Sequence, residues 1–241
     1  MKALILAAGL GSRVSGLTSG KPKCLLELHG RSILQHQLDL LAACTVRDVT
    51  IVTGFGADLI REHAQGRADF VHYPAFASTN NLLTLRHFRH LLNDELVLLF
   101  ADVLLAREAL QNLIDNPADF ALLVDTSRSL PGTMRVRLSA GAVSDIGPHI
   151  PASEGHGNFV GVARFSAQGA KLLAAELDQI VAERGCDSSY YTDALANLAA
   201  KGQRLEPVNV AADSWLEVDT EEDYSAARER TFYVTQLEGV R

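Results

Sequence analysis

Two glycines and two basic side chains near the start of the chain could together bind a phosphate group. The segment LAAGLGSR places Gly9 and Gly11 just before Arg13, and Lys23 follows in KPKCLLEL. Glycine lets backbone N–H groups face an anion, and two cations beside such a loop suit the charge of a nucleoside triphosphate. The spacing therefore predicts a triphosphate-binding loop. A surface loop with ordinary basic residues is the alternative.

Two common glycine loops do not fit this segment. The dinucleotide fingerprint GxGxxG requires a third glycine where Val14 stands. The Walker loop requires a glycine where Ser15 stands, and Pro22 replaces the hydroxyl residue that would bind magnesium. The loop is therefore predicted to be of another type.

Acidic residues follow two apolar, strand-like segments. Asp102 ends ELVLLFAD, and Asp219 lies in SWLEVDTEEDY. Mg²⁺ binds carboxylates together with phosphate oxygens, so the pair predicts a metal site beside the glycine loop. Helix capping is the alternative for each aspartate. Glu217 shares a face with Asp219 because it lies two residues earlier on the same strand, and it is a secondary candidate.

The elements that must position these residues alternate between strand and helix in the first half of the chain. Lys2–Ala7, Val49–Thr53 and Glu95–Ala101 are apolar strands, with helical spacing between them. This alternation predicts a mostly parallel sheet covered by helices, with ligands at the carboxyl ends of its strands. Cys24–Leu28 is predicted to be another strand. In the second half we expect a hairpin about Ser139–Gly141, with Ser166 and Thr220 capping later helices.

Composition excludes several classes of function. The 241 residues include 22 Lys and Arg and 29 Asp and Glu, a formal charge of −7 without a basic block, so a nucleic-acid partner is not expected. No apolar run approaches the roughly 18 residues of a membrane span, so no membrane association is expected. The three cysteines are far apart, which predicts reduced thiols and a cytoplasmic location. Residues 1–241 are predicted to form one domain.

The motifs carry a family resemblance. LILAAGLGSR followed by KPKCLLELHG resembles the nucleotidyltransferases that join a nucleoside triphosphate to a phosphorylated acceptor. TNNLLTL, FADV and EVDTEEDY are most similar to the bacterial choline-phosphate and phosphonate cytidylyltransferases. The resemblance implies an α/β, GT-A-like fold: a Rossmann-like, mostly parallel mixed sheet flanked by helices, with a small β-rich insertion on the acceptor side. Residues 1–125 would form the nucleotide-binding half, and residues 126–241 the half that binds the acceptor and completes the metal site.

The same resemblance assigns expected roles to individual residues. Lys23 and Arg13 would act in catalysis, and Asp102 and Asp219 would bind Mg²⁺. Phe100 stands where some relatives carry a further aspartate, so a second carboxylate from that strand is not expected. The nucleotide would contact Leu6, Ala7, Ala8, Gly9, Gly11, Ser12, Arg13, Lys23, Asn80 and Asn81.

The acceptor is expected to bind near CDSSYYTDAL. Tyr190 and Tyr191, with Asp187, could hold a choline or aminoethyl cation through aromatic faces and a carboxylate. The alternative is that both tyrosines are packing residues before a helix.

The predicted reaction is Mg²⁺-dependent transfer of CMP from CTP to a small phosphorylated or phosphonate acceptor, with release of pyrophosphate. A sugar-1-phosphate or inositol-phosphate nucleotidyltransferase using CTP, UTP or GTP is the alternative. A non-catalytic nucleotide-binding protein is a third. The sequence does not specify the nucleotide base, the acceptor or the oligomeric state, for which a homodimer is one possibility.

Overall fold

The computed structural model describes residues 1–11, 15–128, 130, 134–184 and 189–234. The β-strands are β1 (Lys2–Ala7), β2 (Glu27–Leu28), β3 (Arg31–Ser32), β4 (Asp48–Thr53), β5 (Asp69–His72), β6 (Leu96–Phe100), β7 (Val103–Leu105), β8 (Phe120–Asp125), β9 (Met134–Ser139), β10 (Ala142–Gly147), β11 (Gly157–Phe165), β12 (Leu205–Asn209) and β13 (Trp215–Glu217). The α-helices are α1 (Ser15–Thr18), α2 (Ile33–Ala43), α3 (Ala57–Ala64), α4 (Asn81–His87), α5 (Arg107–Ile114), α6 (Ala167–Arg184), α7 (Tyr191–Ala200) and α8 (Glu221–Glu229). Two 3-10 helices span Lys23–Leu25 and Arg89–Leu91.

The chain forms two compact units, each built from separate segments. Unit 1 comprises Met1, Ser78–Leu98 and Asn112–Ala212, and unit 2 comprises Lys2–Ala77, Leu99–Gln111 and Asp213–Arg241. The division falls within β6 and within α5. The division into a nucleotide-binding half (residues 1–125) and an acceptor-binding half (residues 126–241) stays a prediction.

Unit 2 has parallel strands at its centre. β1 pairs in parallel with β4, and β4 with β5. The Ala101 amide, just after β6, donates to the Leu6 carbonyl in β1 (3.3 Å). β13 pairs antiparallel with β7. A hydrophobic cluster at Leu28, Ile33 and Val218 joins α2 and the chain before α8 to this unit.

Unit 1 contains a mixed sheet with strands in the order β11, β8, β12, β10, β9. β8 and β12 are parallel, whereas β8 and β11, β10 and β12, and β9 and β10 are antiparallel. Helices α4, α6 and α7 pack together within the unit, and α7 also packs on β10. Parallel and antiparallel strands with packed helices confirm the predicted α/β class with a mixed sheet.

Local sequence explains where several elements begin. Ser32 caps α2 and Thr220 caps α8, each in a box with the residue three positions later. The Ser166 hydroxyl accepts from the Gly169 amide at the start of α6, as predicted. The β9–β10 hairpin turns through Ala140 and Gly141, both with positive φ, which a tight hairpin turn requires.

The prediction of a strand over Cys24–Leu28 is wrong in its first part. Lys23–Leu25 form a 3-10 helix, and only Glu27–Leu28 are extended. The Leu25 amide donates to the Pro22 carbonyl, and the Leu26 amide to the Lys23 carbonyl. These bonds over three residues close a turn that an apolar run alone does not reveal.

Two further expectations can be compared with the part of the chain that the structure describes. Within it, no helix is long and apolar enough to cross a membrane. Cys24 and Cys44 are buried, and neither forms a disulfide with a described residue. Cys186 lies outside the described residues.

Candidate active site

Asp102 lies in the short connection between β6 and β7. Its Oδ2 is 2.5 Å from Lys23 Nζ, and its side chain is 18% exposed. Its Oδ1 is buried and has no hydrogen-bond partner among the residues that the structure describes. A buried carboxylate oxygen without a partner is energetically unfavourable, so the atom is suited to bind a cation.

Asp219 lies between β13 and α8, beside the same turn. The Val218 amide donates to the Asp102 carbonyl (3.0 Å), which joins the two segments through their backbones. The Asp223 carboxylate accepts hydrogen bonds from the amides of both Asp219 and Thr220 (3.0 and 2.9 Å). The predicted helix cap at Thr220 is therefore present, and Asp223 fixes the backbone of Asp219 as well.

Lys23 bridges the two aspartates. Its Nζ is 2.5 Å from Asp102 and 2.6 Å from Asp219 Oδ1. Burial by itself lowers the pKa of this ammonium, but the charges and hydrogen bonds of Asp102 and Asp219 outweigh burial and raise the pKa above its ordinary value. The two carboxylates therefore keep Lys23 protonated at neutral pH.

The start of the Lys23 segment fits closely against two glycines. Gly11 has a φ of +63°, and a Cβ there would lie 2.9 Å from the Cβ of Lys23. Gly56 has a φ of +62°, and a Cβ there would lie 2.4 Å from the ring of Pro22. Only glycine permits both the backbone conformation and the approach. Gly56 was missed from the sequence, although its place after β4 in TGFG is a turn signal.

Three carboxylates come together around this lysine. Oxygen atoms of Asp102, Glu217 and Asp219 all lie within 4.8 Å of one another. With Lys23, the cluster has a formal charge of −2. Carboxylate oxygens are the ligands that Mg²⁺ and Ca²⁺ prefer, and the unpartnered Asp102 Oδ1 makes the donor set fit a divalent cation. The secondary candidate Glu217 thus joins the two predicted ligands.

The glycine loop leads out of β1 in the same unit. Leu6 and Ala7 are the last residues of the strand, and Ala8 is buried just beyond it. A Cβ on Gly9 would meet no atom of the described residues within 4 Å, so the described part of the chain leaves space for a ligand there. Ser12 and Arg13 lie outside the described residues.

The remaining candidates belong to unit 1. Asn80 precedes α4 as its N-cap residue, and the Asn81 side chain accepts a hydrogen bond from the Tyr191 amide (2.8 Å). Tyr191 is fully buried and contacts Phe159 edge-on, which favours the packing alternative for this tyrosine. Tyr190 is half-buried. Asp187 lies outside the described residues.

The amino-acid sequence matches a known protein family. The chain belongs to the family described as the MobA-like NTP transferase domain, whose model matches residues 3–232. The chain is thus a nucleotidyltransferase by class, as the motifs predicted.

More particular similarities concern two curated relatives. The chain is 30% identical to the CMP-5'-(3-aminopropyl)phosphonate synthase of Streptomyces rubellomurinus, over 99% of this chain, but it spans only 41% of that protein. It is 23% identical to the CTP:phosphoglutamine cytidylyltransferase of Campylobacter jejuni, over 95% of this chain and 100% of that protein.

Two solved structures share the fold. The CTP:phosphocholine cytidylyltransferase from Streptococcus pneumoniae superposes with a TM-score of 0.77 at 20% identity, covering 95% of this chain and 97% of the other. The inositol-1-phosphate CTP transferase from T. maritima superposes with a TM-score of 0.82 at 17% identity, covering 100% and 97%. The predicted resemblance to choline-phosphate and phosphonate cytidylyltransferases is confirmed by these relatives together.

Proposed function

We propose that the protein is a Mg²⁺-dependent cytidylyltransferase that transfers CMP from CTP to a small phosphorylated or phosphonate acceptor. An oxygen of the acceptor's phosphate or phosphonate attacks the α-phosphorus of CTP. The bond from that phosphorus to the oxygen bridging to the β-phosphate breaks, and pyrophosphate leaves with this oxygen. The ionised acceptor is already nucleophilic, so the reaction needs no general base.

The cluster of Lys23 with three carboxylates is the observation that carries this proposal. Its formal charge of −2 equals the charge that one divalent cation neutralises. Three carboxylates contribute oxygen atoms that lie within 4.8 Å of one another, and the buried Oδ1 of Asp102 has no hydrogen-bond partner among the described residues. Both observations support a metal site.

The chain's own residues would divide the work of alignment and charge stabilisation. Asp102, Glu217 and Asp219 would hold Mg²⁺, which when bound offsets the charge of the triphosphate oxygens. Lys23 would keep two of these carboxylates together and add a fixed positive charge beside the phosphates. The open backbone at Gly9 would let N–H groups approach the triphosphate, with Arg13 as a further cation.

The acceptor is proposed from the relatives' names. One makes a CMP-linked aminopropylphosphonate and another is named for phosphoglutamine, and both names contain a small acceptor rather than a hexose. The inositol-phosphate structure is similar at 17% identity, which bears on the fold alone. A phosphonate or small phosphate ester is therefore the preferred acceptor. The cytoplasmic location and a homodimer stay predictions.

The decisive experiment measures pyrophosphate release for four nucleoside triphosphates against a panel of acceptors. The panel contains phosphocholine, 2-aminoethylphosphonate, 2-hydroxyethylphosphonate, inositol phosphate and hexose-1-phosphates, each with Mg²⁺ and with EDTA. We expect release with CTP and a phosphonate or phosphocholine, abolished by EDTA. The Asp102→Asn variant is the control, and its rate of pyrophosphate release should be about 10²-fold lower.

Two results would contradict the proposal in different ways. A preference for UTP or GTP with a hexose phosphate would favour the sugar nucleotidyltransferase. Binding of nucleotide without pyrophosphate release in any combination would favour the non-catalytic alternative.

A further inference from the structure

A buried amide on α2 reaches the turn that carries Asp102. Gln37 lies in the middle of this helix, and the residue is only 2% exposed. Its Nε2 donates one hydrogen bond to the carbonyl of Phe100 and another to the carbonyl of Val103, both at 2.8 Å. Phe100 is the last residue of β6 and Val103 the first of β7. One side-chain nitrogen thus holds both ends of the connection that contains Asp102.

The orientation of this amide follows from its partners. Turning the carboxamide over would set Oε1 against two carbonyl oxygens, which repel it, whereas the NH₂ group has two protons for two acceptors. In the present orientation Oε1 is buried, and it has no hydrogen-bond partner among the described residues. The amide is therefore held by the two bonds to the Asp102 turn and by packing.

An amide whose oxygen has no hydrogen-bond partner is unfavourable on the buried face of a helix. Leu34, Leu38 and Leu41 of the same helix are fully buried or nearly so. Position 37 instead holds a polar side chain whose amide donates to the Phe100 and Val103 carbonyls and whose Oε1 has no partner among the described residues. Buried polar groups that break the rules of core packing occur most often where they serve a functional site. What Gln37 contacts here is the backbone of a candidate metal ligand.

Two other contacts fix the same turn from other segments. The Ala101 amide donates to the Leu6 carbonyl, and the Asp102 carbonyl accepts from the Val218 amide. Those bonds hold the middle of the turn, and Gln37 holds its ends. With both ends fixed, the Asp102 carboxylate has little freedom to move away from Lys23, Glu217 and Asp219.

We propose that Gln37 is a positioning residue for the metal site: its amide fixes residues 100–103 so that Asp102 is held ready to bind the divalent cation. The inference rests on the proposed function, because it assigns Asp102 to the metal. Gln37 is not one of the three carboxylates that would hold the metal. It acts through the backbone, as residues outside the ligand set commonly do in metal sites.

The test compares metal binding by variants of two neighbouring buried residues. Gln37→Met keeps the side-chain length and removes both donors. Gln37→Glu keeps the shape of the side chain but places a carboxyl oxygen against the carbonyls of Phe100 and Val103. It replaces Gln37→Met in the test if that variant does not fold. His36→Leu is the matched control, since His36 is buried beside Gln37 but bonds the Leu28 carbonyl and not a carbonyl of the Asp102 turn. Asp102→Asn reports on the site itself.

Mn²⁺ binding is measured by the electron paramagnetic resonance signal of the free ion, without nucleotide or acceptor. We expect the Mn²⁺ dissociation constant to rise about 10-fold in Gln37→Met, with an equal rise in the Mg²⁺ concentration giving half the maximal rate. At saturating Mg²⁺ the KM for the acceptor should be unchanged. His36→Leu should lower the melting temperature but bind Mn²⁺ like the unaltered protein.

Two results would overturn the inference, and they can be told apart. If Asp102→Asn weakens Mn²⁺ binding but folded Gln37→Met and Gln37→Glu do not, Gln37 has no positioning role and the proposed function stands. If Asp102→Asn also leaves Mn²⁺ binding unchanged, the metal assignment in the proposed function fails, and the inference fails with it.

Discussion

At the scale of single residues, Lys23 connects the two parts of the site. Its ammonium pairs with Asp102 and Asp219, while its Cβ lies against Gly11 of the glycine loop. Removing the ammonium would leave a cluster of charge −3 in a partly buried place, and an uncompensated charge of that kind is destabilising. A bound divalent cation would relieve much of this repulsion.

Lys23→Met should therefore lower both the rate and the metal-free stability. We expect pyrophosphate release to fall by about 10²-fold or more, because a preorganised positive charge is lost. The melting temperature in EDTA should drop, and Mg²⁺ should restore more of it than in the unaltered protein. Steady-state kinetics and thermal melting with and without Mg²⁺ measure these effects.

Lys21→Met is the matched control, because Lys21 is exposed and lies two residues away. It should change neither the rate nor the response of the melting temperature to Mg²⁺ by a measurable amount. Equal rates for Lys23→Met and the unaltered protein would contradict the role given to Lys23.

At the scale of elements, two capping boxes allow helix stability to be separated from the site. Ser32 with Gln35 caps α2, and Thr220 with Asp223 caps α8. Each should contribute about 1 kcal/mol to the free energy of unfolding. Only the second also binds the backbone of a candidate metal ligand, through the bond from the Asp219 amide to Asp223.

Asp223→Ala should therefore affect metal dependence as well as stability. Both Asp223→Ala and Ser32→Ala should lose about 1 kcal/mol in denaturant unfolding. In Asp223→Ala the Mg²⁺ concentration for half-maximal rate should also rise, because Asp219 is no longer fixed. In Ser32→Ala it should not. An identical Mg²⁺ response in both variants would mean that Asp223 acts as a helix cap alone.

Some of the secondary-structure elements could be predicted from the sequence, and others could not. Strand–helix alternation and caps depend on local residue types, so the α/β class and the caps at Ser166 and Thr220 were predictable. The 3-10 turn at Lys23–Leu25 was not, because a short apolar run fits a strand as well as a turn. The contacts of Gln37 could not be predicted either, because no local sequence pattern indicates which buried carbonyls a glutamine side chain will contact.

At the scale of the whole molecule, unit 2 gathers three separate stretches of chain. The motifs predicted that Lys23, Asp102 and Asp219 act together, and the structure brings them together with Glu217. Pairing of β7 with β13 brings the segments of Asp102 and Asp219 together, and no local sequence pattern predicts this pairing. The last stretch contributes Val218, Ala227 and Tyr233 to a buried hydrophobic cluster.

Removal of residues from the C-terminal end should therefore be tolerated only while the residues of this cluster are kept. A chain ending at Ala212 loses these three cluster residues and β13, so unit 2 should fail to fold, since each large side chain lost from a core costs about 2–5 kcal/mol. A chain ending at Val234 keeps every member of the cluster that the structure describes, so its unit 2 should fold. Far-UV circular dichroism and thermal melting measure both, and a folded unit 2 without residues 213–241 would contradict this account.

The bond between Lys23 and Asp219 also has a consequence for biosynthesis. It joins residues 196 positions apart in the chain. Asp219 lies 219 − 102 = 117 residues after Asp102, and a ribosome adds about 5–20 residues per second, so Asp219 follows Asp102 by roughly 6–23 s. During this interval the nascent chain carries the glycine loop, Lys23 and Asp102, but neither Glu217 nor Asp219. We therefore expect the growing polypeptide to be unable to carry out the proposed nucleotidyl transfer until Glu217 and Asp219 have been synthesised.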